Sequence, residues 1–383
     1  MIGSRATARA VETNEGGGDG GNSMKATRIL YDLGQSLWLD NITRNLLKTG
    51  VLRRYIDELS VTGLTSNPTI FDHAIKNSSD YDSAIKSKLA QGKSGEKLFF
   101  ELALEDIREA ADLFRPVHDR TCGVDGWVSL EVSPLLAHDT KSTIAEAKEL
   151  HRQAQRRNVF IKIPGTPEGL PAIEEAIFAG VPINVTLLFS DDQYVAAANA
   201  FMRGIERRIE AGLQPDVASV ASLFISRWDV AVTGKVPAEL NNRLGIAVAK
   251  RTYKAYRDLL TSPRWMRAYN AGARPQRLLW ASTGTKDPKA SDVLYVKNLA
   301  AQHHARGHAE SACRPRRGRR DAPCGRRQRG RGAGAVREGE DRCRCALAAA
   351  SRRRGKILRQ IMERSHGRDR LQVRRPQASE LTR

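Results

Sequence analysis

Between Met24 and Ala301, short apolar runs alternate with longer amphipathic stretches, and this alternation narrows the fold more than any other property of the chain. The strand-like runs are Leu37–Asp40, Val61–Asn67, Trp127–Ser133, Val159–Gly165, Ile183–Ser190, Val220–Arg227 and Leu278–Thr283. Helical patterns lie between them, among them Gly95–Phe114, Ser142–Arg156, Ser190–Ala211 and Asn242–Leu260. In Ser142–Arg156 the residues Ile144, Ala147, Leu150 and Ala154 recur at the spacing of one helix face. Ser190-Asp-Asp-Gln puts a capping hydroxyl and two acidic residues at a helix start. Strands that alternate with helices pair in parallel. Seven such units fit a closed (β/α)8 barrel better than an open sheet, although the count alone leaves a doubly wound fold open. Polar residues recur at the carboxyl ends of the runs: Asp40, Asn67, Glu131, Lys162, Thr186, Ser226 and Ser282. A parallel α/β barrel assembles its active site on that face. It needs eight strands, and seven are visible.

The formal net charge of +20 points at first to a nucleic-acid partner,. Its distribution points elsewhere. Gln302–Arg383 holds 24 Lys+Arg against 8 Asp+Glu, leaving only about +4 on the rest of the chain. Four of the five cysteines, Cys313, Cys324, Cys343 and Cys345, also fall in this tail. The tail has no interleaved aromatics and no recognised fold, so nucleic-acid binding, which would weaken steeply with salt, is the lesser reading. No stretch approaches the ~20 apolar residues of a membrane helix, and the start lacks the apolar core of a signal peptide. The expectation is a soluble cytoplasmic protein. Residues 1–23 are glycine-rich without apolar periodicity and are expected to be disordered, which makes Met24 the more natural start.

Lys162 is the strongest chemical signal. In Val159-Phe-Ile-Lys-Ile-Pro-Gly165, alternation puts Phe160 and Lys162 on one face and Ile161 and Ile163 on the other. Lysine is rarely buried, and a dry interior disfavours its ammonium form. The neutral amine attacks carbonyls and forms Schiff bases. A lysine at a strand end that snorkels to solvent is the competing reading.

Around Lys162 the motif Phe160-Ile-Lys-Ile-Pro-Gly-Thr-Pro-Glu-Gly-Leu-Pro-Ala-Ile173 resembles the Schiff-base strand of transaldolases in their bacterial and plant form. Thr62–Phe71, Trp127–Ser133, Ile183–Ser190, Ala221–Asp229 and Leu279–Pro288 resemble the family's second, third, fifth, sixth and seventh strand motifs, in order and at family-like spacing. The resemblance implies a barrel of class I aldolase type acting on sugar phosphates. The lysine would take a dihydroxyacetone unit from sedoheptulose 7-phosphate, releasing erythrose 4-phosphate, and pass it to glyceraldehyde 3-phosphate to give fructose 6-phosphate. The iminium is the electron sink, so neither metal nor organic cofactor is implied. A related Schiff-base aldolase that cleaves without transfer is the alternative.

The resemblance also assigns roles. Asp40 matches the aspartate that exchanges protons with substrate hydroxyls; by itself it reads equally as an N-cap. Glu131 and Thr186 match the pair that hold a catalytic water. Thr186 alone is an ordinary β-branched strand residue, whereas a carboxylate between Leu130 and Val132 is costly to bury unpaired. Asn67 matches the residue that bonds the dihydroxyacetone unit, and reads otherwise as an Asn-Pro turn. Ser226 and Arg227 match residues that contact substrate and phosphate. Ser282 and Lys286 sit where a late barrel loop binds phosphate, with a solvated surface lysine as the plain reading of Lys286.

The resemblance stops at Ala301. Family members continue with an eighth strand containing Asn-Thr-Met-Pro-Glu-Gly-Thr-Leu and with terminal helices. Here Gln302-His-His-Ala-Arg-Gly-His-Ala309 follows. The codons CAA CAC CAT GCC CGA GGG CAC GCT encode that peptide and, read one base later, encode the family's strand. Gly355–Gly367 admits the same operation. The tail is therefore read as an out-of-frame, largely disordered segment, and the barrel (residues 24–301) is expected to lack its eighth strand and terminal helices.

Overall fold

Each of the seven runs contains a strand, and each strand carries β-branched or aromatic residues, which favour that conformation,. The computed structural model describes residues 2–3 and 26–300. These fall in the unit Met1–Pro315; the second unit, Arg316–Arg383, lies outside the described residues. The tail and most of residues 1–23 likewise lie outside them, and so do the readings made of those segments.

The strands are β2 (Leu37–Asp40), β3 (Val61–Thr65), β4 (Trp127–Glu131), β5 (Val159–Pro164), β6 (Ile183–Leu188), β7 (Ser219–Phe224) and β8 (Gln276–Ala281). They pair in parallel in chain order. A further strand, β1 (Ile2–Gly3), pairs in parallel with the outer edge of β2 in the register Ile2↔Leu39 and Gly3↔Asp40. The eighth member of this sheet thus comes from the start of the chain. β8 pairs with β7 on one side and has no strand partner on the other among the described residues.

Helices α1 (Ala26–Asp32), α2 (Arg44–Lys48), α3 (Val51–Leu59), α4 (Pro68–Lys76), α5 (Asp82–Ala90) and α6 (Gly95–Arg120) precede β4. After it come α7 (Thr140–Ala154), α8 (Gly169–Phe178), α9 (Asp191–Glu210), α10 (Ser226–Val232), α11 (Leu244–Leu260), α12 (Pro263–Asn270) and α13 (Leu294–Leu299). The helix starts follow capping chemistry. Ser190 Oγ accepts from Gln193 N at 3.1 Å with Asp191 and Asp192 in the first turn of α9, and Asp139 Oδ1 accepts from Ser142 N at 3.0 Å at the start of α7. On α7 the buried residues are Thr143, Ala147, Leu150 and Ala154, while Ile144 packs half-buried beside them. One expectation is corrected. The run Val220–Arg227 ends as a strand at Phe224, and Ser226 and Arg227 belong to the first turn of α10.

Alternation divides the apolar residues of the strands between two cores. Ile161 and Ile163 face outward and join a large cluster with helix residues such as Leu150, Ile173 and Phe201. Phe160 faces inward, where Trp38, Trp127, Val220 and Leu279 meet it. The Trp127 and Phe160 rings stack with centroids 4.1 Å apart, and Trp38 lies 6.1 Å from Phe160. β2 and β5 are not neighbours in the sheet, so this contact requires the sheet to curl around its interior. Burying a side chain of this size is worth about 1.5–3 kcal/mol. Gly63 on β3 makes room for the stack: a Cβ there would lie 2.5 Å from Trp38 Cε2.

Beside β8 lies a cavity of about 290 Å³, lined by Ser36, Trp38, Tyr253, Tyr256, Leu278 and Trp280 among other described residues.

Candidate active site

Two residues further along the same strand faces, the interior turns polar. Asp40 follows Trp38, Thr65 follows Gly63, Ser129 and Glu131 follow Trp127, and Lys162 follows Phe160, each at the two-residue spacing that keeps a strand face. Lys162 is only 4% exposed. Its Nζ lies 3.0 Å from Glu131 Oε2 and donates to the Ser66 carbonyl at 2.9 Å. The pairing register sets this contact, since Glu131 is opposite Lys162 across β4 and β5. The lysine is therefore a buried, partnered group and does not reach solvent. A buried ion pair is stable only where geometry and further hydrogen bonds compensate lost hydration, and both compensations are present here.

Asp40, at the end of β2, has its carboxyl raised above the usual carboxylate range by burial, an effect that Lys162 and then Lys286 oppose. Its position in a strand disposes of the capping alternative; Thr43 caps the next helix, accepting from Leu46 N at 3.1 Å. Thr186 lies on β6 and is buried. It lies opposite Pro164 in the pairing register, and its carbonyl accepts from Gly165 N at 2.8 Å.

The other expected residues divide. Ser226 is buried, and its Oγ lies 3.0 Å from Ser282 Oγ while its N–H donates to the Ser282 carbonyl. Two loops expected to bind one ligand thus meet directly. Arg227 and Lys286 are exposed. Neither makes a direct contact with Lys162, Glu131 or Asp40 among the described residues, though the charge of Lys286 is felt at Asp40. Asn67 is the N-cap of α4, its Oδ1 accepting from Ile70 N at 3.0 Å. Asn67 is thus a helix cap, not a turn residue, and the cap leaves its amide Nδ2 without a partner among the described residues.

Sequence reasoning missed Asn184, which lies opposite Lys162 in the β5–β6 register and is fully buried. Its Nδ2 donates to Ser129 Oγ at 3.1 Å, and its Oδ1 accepts from Ser222 Oγ at 2.7 Å. These three side chains from β4, β6 and β7 form a polar network next to the lysine. Asn184 stands two residues before Thr186, so alternation carried back one step from that threonine reaches it. Thr65, opposite Asp40, is also buried, with its hydroxyl unpartnered among the described residues.

A buried lysine beside a carboxylate, ringed by hydroxyls and an amide at the carboxyl ends of parallel strands, is suited to proton-coupled chemistry on a carbonyl. The family model described as Transaldolase/Fructose-6-phosphate aldolase matches residues 37–308. The chain belongs to this family. The match covers all seven strands from β2 to β8 and runs seven residues past Ala301. Within the family, the chain is 42% identical over 287 residues to transaldolase 2 of Nostoc sp., covering 70% of this chain and 75% of that protein. It is 45% identical over 283 residues to a transaldolase of Arthrobacter sp., covering 72% and 76%. With a transaldolase of Thermobifida fusca the figures are 45% over 280 residues, 71% and 76%. As in other enzymes built on parallel α/β barrels, the polar cluster lies at the carboxyl ends of the strands. None of the described helices is long and apolar enough to cross a membrane.

Proposed function

We propose that this chain is built for the transaldolase reaction, with sedoheptulose 7-phosphate as donor and glyceraldehyde 3-phosphate as acceptor, in the cytoplasm. The observation that carries this reading is the Lys162–Glu131 pair at 3.0 Å in a nearly solvent-free setting. Glu131 takes a proton from Lys162, and the freed amine attacks the ketone carbon. Loss of water, with a proton returned from Glu131 through a water held with Thr186, leaves an iminium. Asp40 then accepts the proton of the C4 hydroxyl as the C3–C4 bond breaks and the electron pair moves to the iminium nitrogen. Erythrose 4-phosphate departs, and the dihydroxyacetone unit stays on Lys162 as an enamine. Attack on the acceptor aldehyde and hydrolysis reverse these steps and release fructose 6-phosphate. Asn67 Nδ2 and the Asn184 network hold the three-carbon unit, while Arg227, Ser226, Ser282 and Lys286 receive the phosphate.

A second reading, cleavage without transfer, is kept because the family's description names an aldolase as well. Borohydride reduction in the presence of fructose 6-phosphate is expected to add a stable three-carbon or six-carbon mass to Lys162, and Lys162→Ala is expected to abolish it. Label on another lysine, or none at all, would refute both enzyme readings. Dependence of product formation on an added aldehyde acceptor separates transfer from cleavage.

The chemical residues all precede Ala301, yet β8 has no second strand partner among the described residues. A barrel escapes the hazard of an exposed edge only by closing. Turnover by this polypeptide is therefore expected to be low.

A further inference from the structure

Helix α10 has seven residues, and their side chains are tied to several elements. Ser226 meets Ser282, and Trp228 Nε1 donates to the Phe189 carbonyl at 2.7 Å beyond β6. Asp229, 6% exposed, has both oxygens engaged. Oδ1 accepts from Gly245 N at 3.1 Å in the first turn of α11, and Oδ2 accepts from the hydroxyl of Tyr295 on α13 at 2.7 Å. Tyr295 is itself 1% exposed, and burial, followed by its bond to Asp229, pushes its phenol well above the ordinary range. Gly245 is needed for this approach: a Cβ would lie 2.6 Å from the Ile225 carbonyl oxygen and 2.7 Å from Asp229 Oδ2. The residue left outward on the same turn is Arg227.

We infer that Asp229 and Tyr295 are a positioning pair that sets Arg227, and through α10 the Ser226–Ser282 contact, at the height where a sugar phosphate presents its phosphate group. This inference rests on the sugar-phosphate reading above and assigns a source to its specificity. Tyr295 lies just beyond the loop that carries Ser282 and Lys286. Its hydroxyl therefore joins the end of that loop to the helix bearing Arg227, and the two halves of the phosphate site move as one body. Removing the hydroxyl takes away the far tie between them, leaving only the Ser226–Ser282 contacts, without touching Lys162. A carboxylate held by a helix N-terminus and a phenol is a firm anchor, because charge-assisted bonds are the stronger class.

The test compares two sugars in borohydride labelling of Lys162 by the full chain: fructose 6-phosphate, which reaches Arg227, and dihydroxyacetone, which is too short to do so. In Tyr295→Phe the concentration of fructose 6-phosphate giving half-maximal labelling is expected to rise on the order of tenfold, as small misplacements of binding groups produce. The value for dihydroxyacetone stays unchanged. Arg227→Met gives a comparable rise for fructose 6-phosphate, and the double variant adds little to it, because the two substitutions remove one interaction. A parallel loss with both sugars marks Tyr295 as merely structural and overturns the inference. So does an unchanged ratio, or full additivity in the double variant. Absence of any label on Lys162 with either sugar in the unaltered chain overturns the Schiff-base reading, and the inference falls with it.

Discussion

Asn67 is the residue whose capping geometry also accommodates the ligand reading. Its Oδ1 caps α4, and its Nδ2 is left for a ligand. Asn67→Ser keeps a capping oxygen and shortens the donor, so melting temperature is expected to hold while labelling of Lys162 by dihydroxyacetone falls at least tenfold. Asn67→Ala is expected to lose the labelling and also about 1 kcal/mol of stability. Unchanged labelling of the serine variant would reduce Asn67 to a cap. Residues of this sort show why the site was readable in part. Lys162, Glu131 and Asp40 stand out in a sequence because a charge within an apolar run has few structural uses. Asn184 and Ser222 do not, since a buried amide or hydroxyl satisfied by neighbouring strands becomes visible only once the curl of the sheet brings β4, β6 and β7 together. Ser226 and Arg227 read as the end of a strand in the sequence because Ile225 continues the apolar run into α10.

At the scale of elements, the loop after β4 is held by a group no motif suggested. Glu146 on α7 accepts from Ser133 N at 2.7 Å, two residues beyond Glu131. Burial raises its carboxyl to about 7, with the Ser133 amide opposing and Glu96 on α6 adding to the rise. The native state therefore keeps a proton that the unfolded chain releases near its ordinary value of 4.5. Stability from this group is fully present below pH 4.5 and is lost as pH rises towards about 7,. Glu146→Gln keeps an acceptor for Ser133 and removes the titration. Urea midpoints measured between pH 5 and pH 8, values set around that window, are expected to decline for the native chain and to stay flatter for the variant. Parallel curves would sink this account. The elements themselves were legible from period and capping, as α9 illustrates: Ser190, Asp191 and Asp192 mark its start in sequence and in space. The pairing of Ile2–Gly3 with β2 was not, because two residues carry no period.

For the molecule as described, the decisive feature is the side of β8 without a strand partner among the described residues, with the cavity of about 290 Å³ beside it. Restoring one base near the codons for Leu299–His304, so that an eighth strand follows, is expected to fill this space. A gain of several kcal/mol would raise the melting temperature on the order of 10 °C for a chain of this size. Turnover should increase with it, and binding of a hydrophobic dye should decrease. A repaired chain that melts and turns over like the present one would show that β8 needs no further partner. Trp38 gives this comparison an internal witness. The same indole borders the cavity and stacks towards Phe160 in the floor beneath Asp40 and Lys162. Light emitted from that ring therefore carries news of the seam and of the catalytic floor together, so mending one should be visible at the other before any sugar is added.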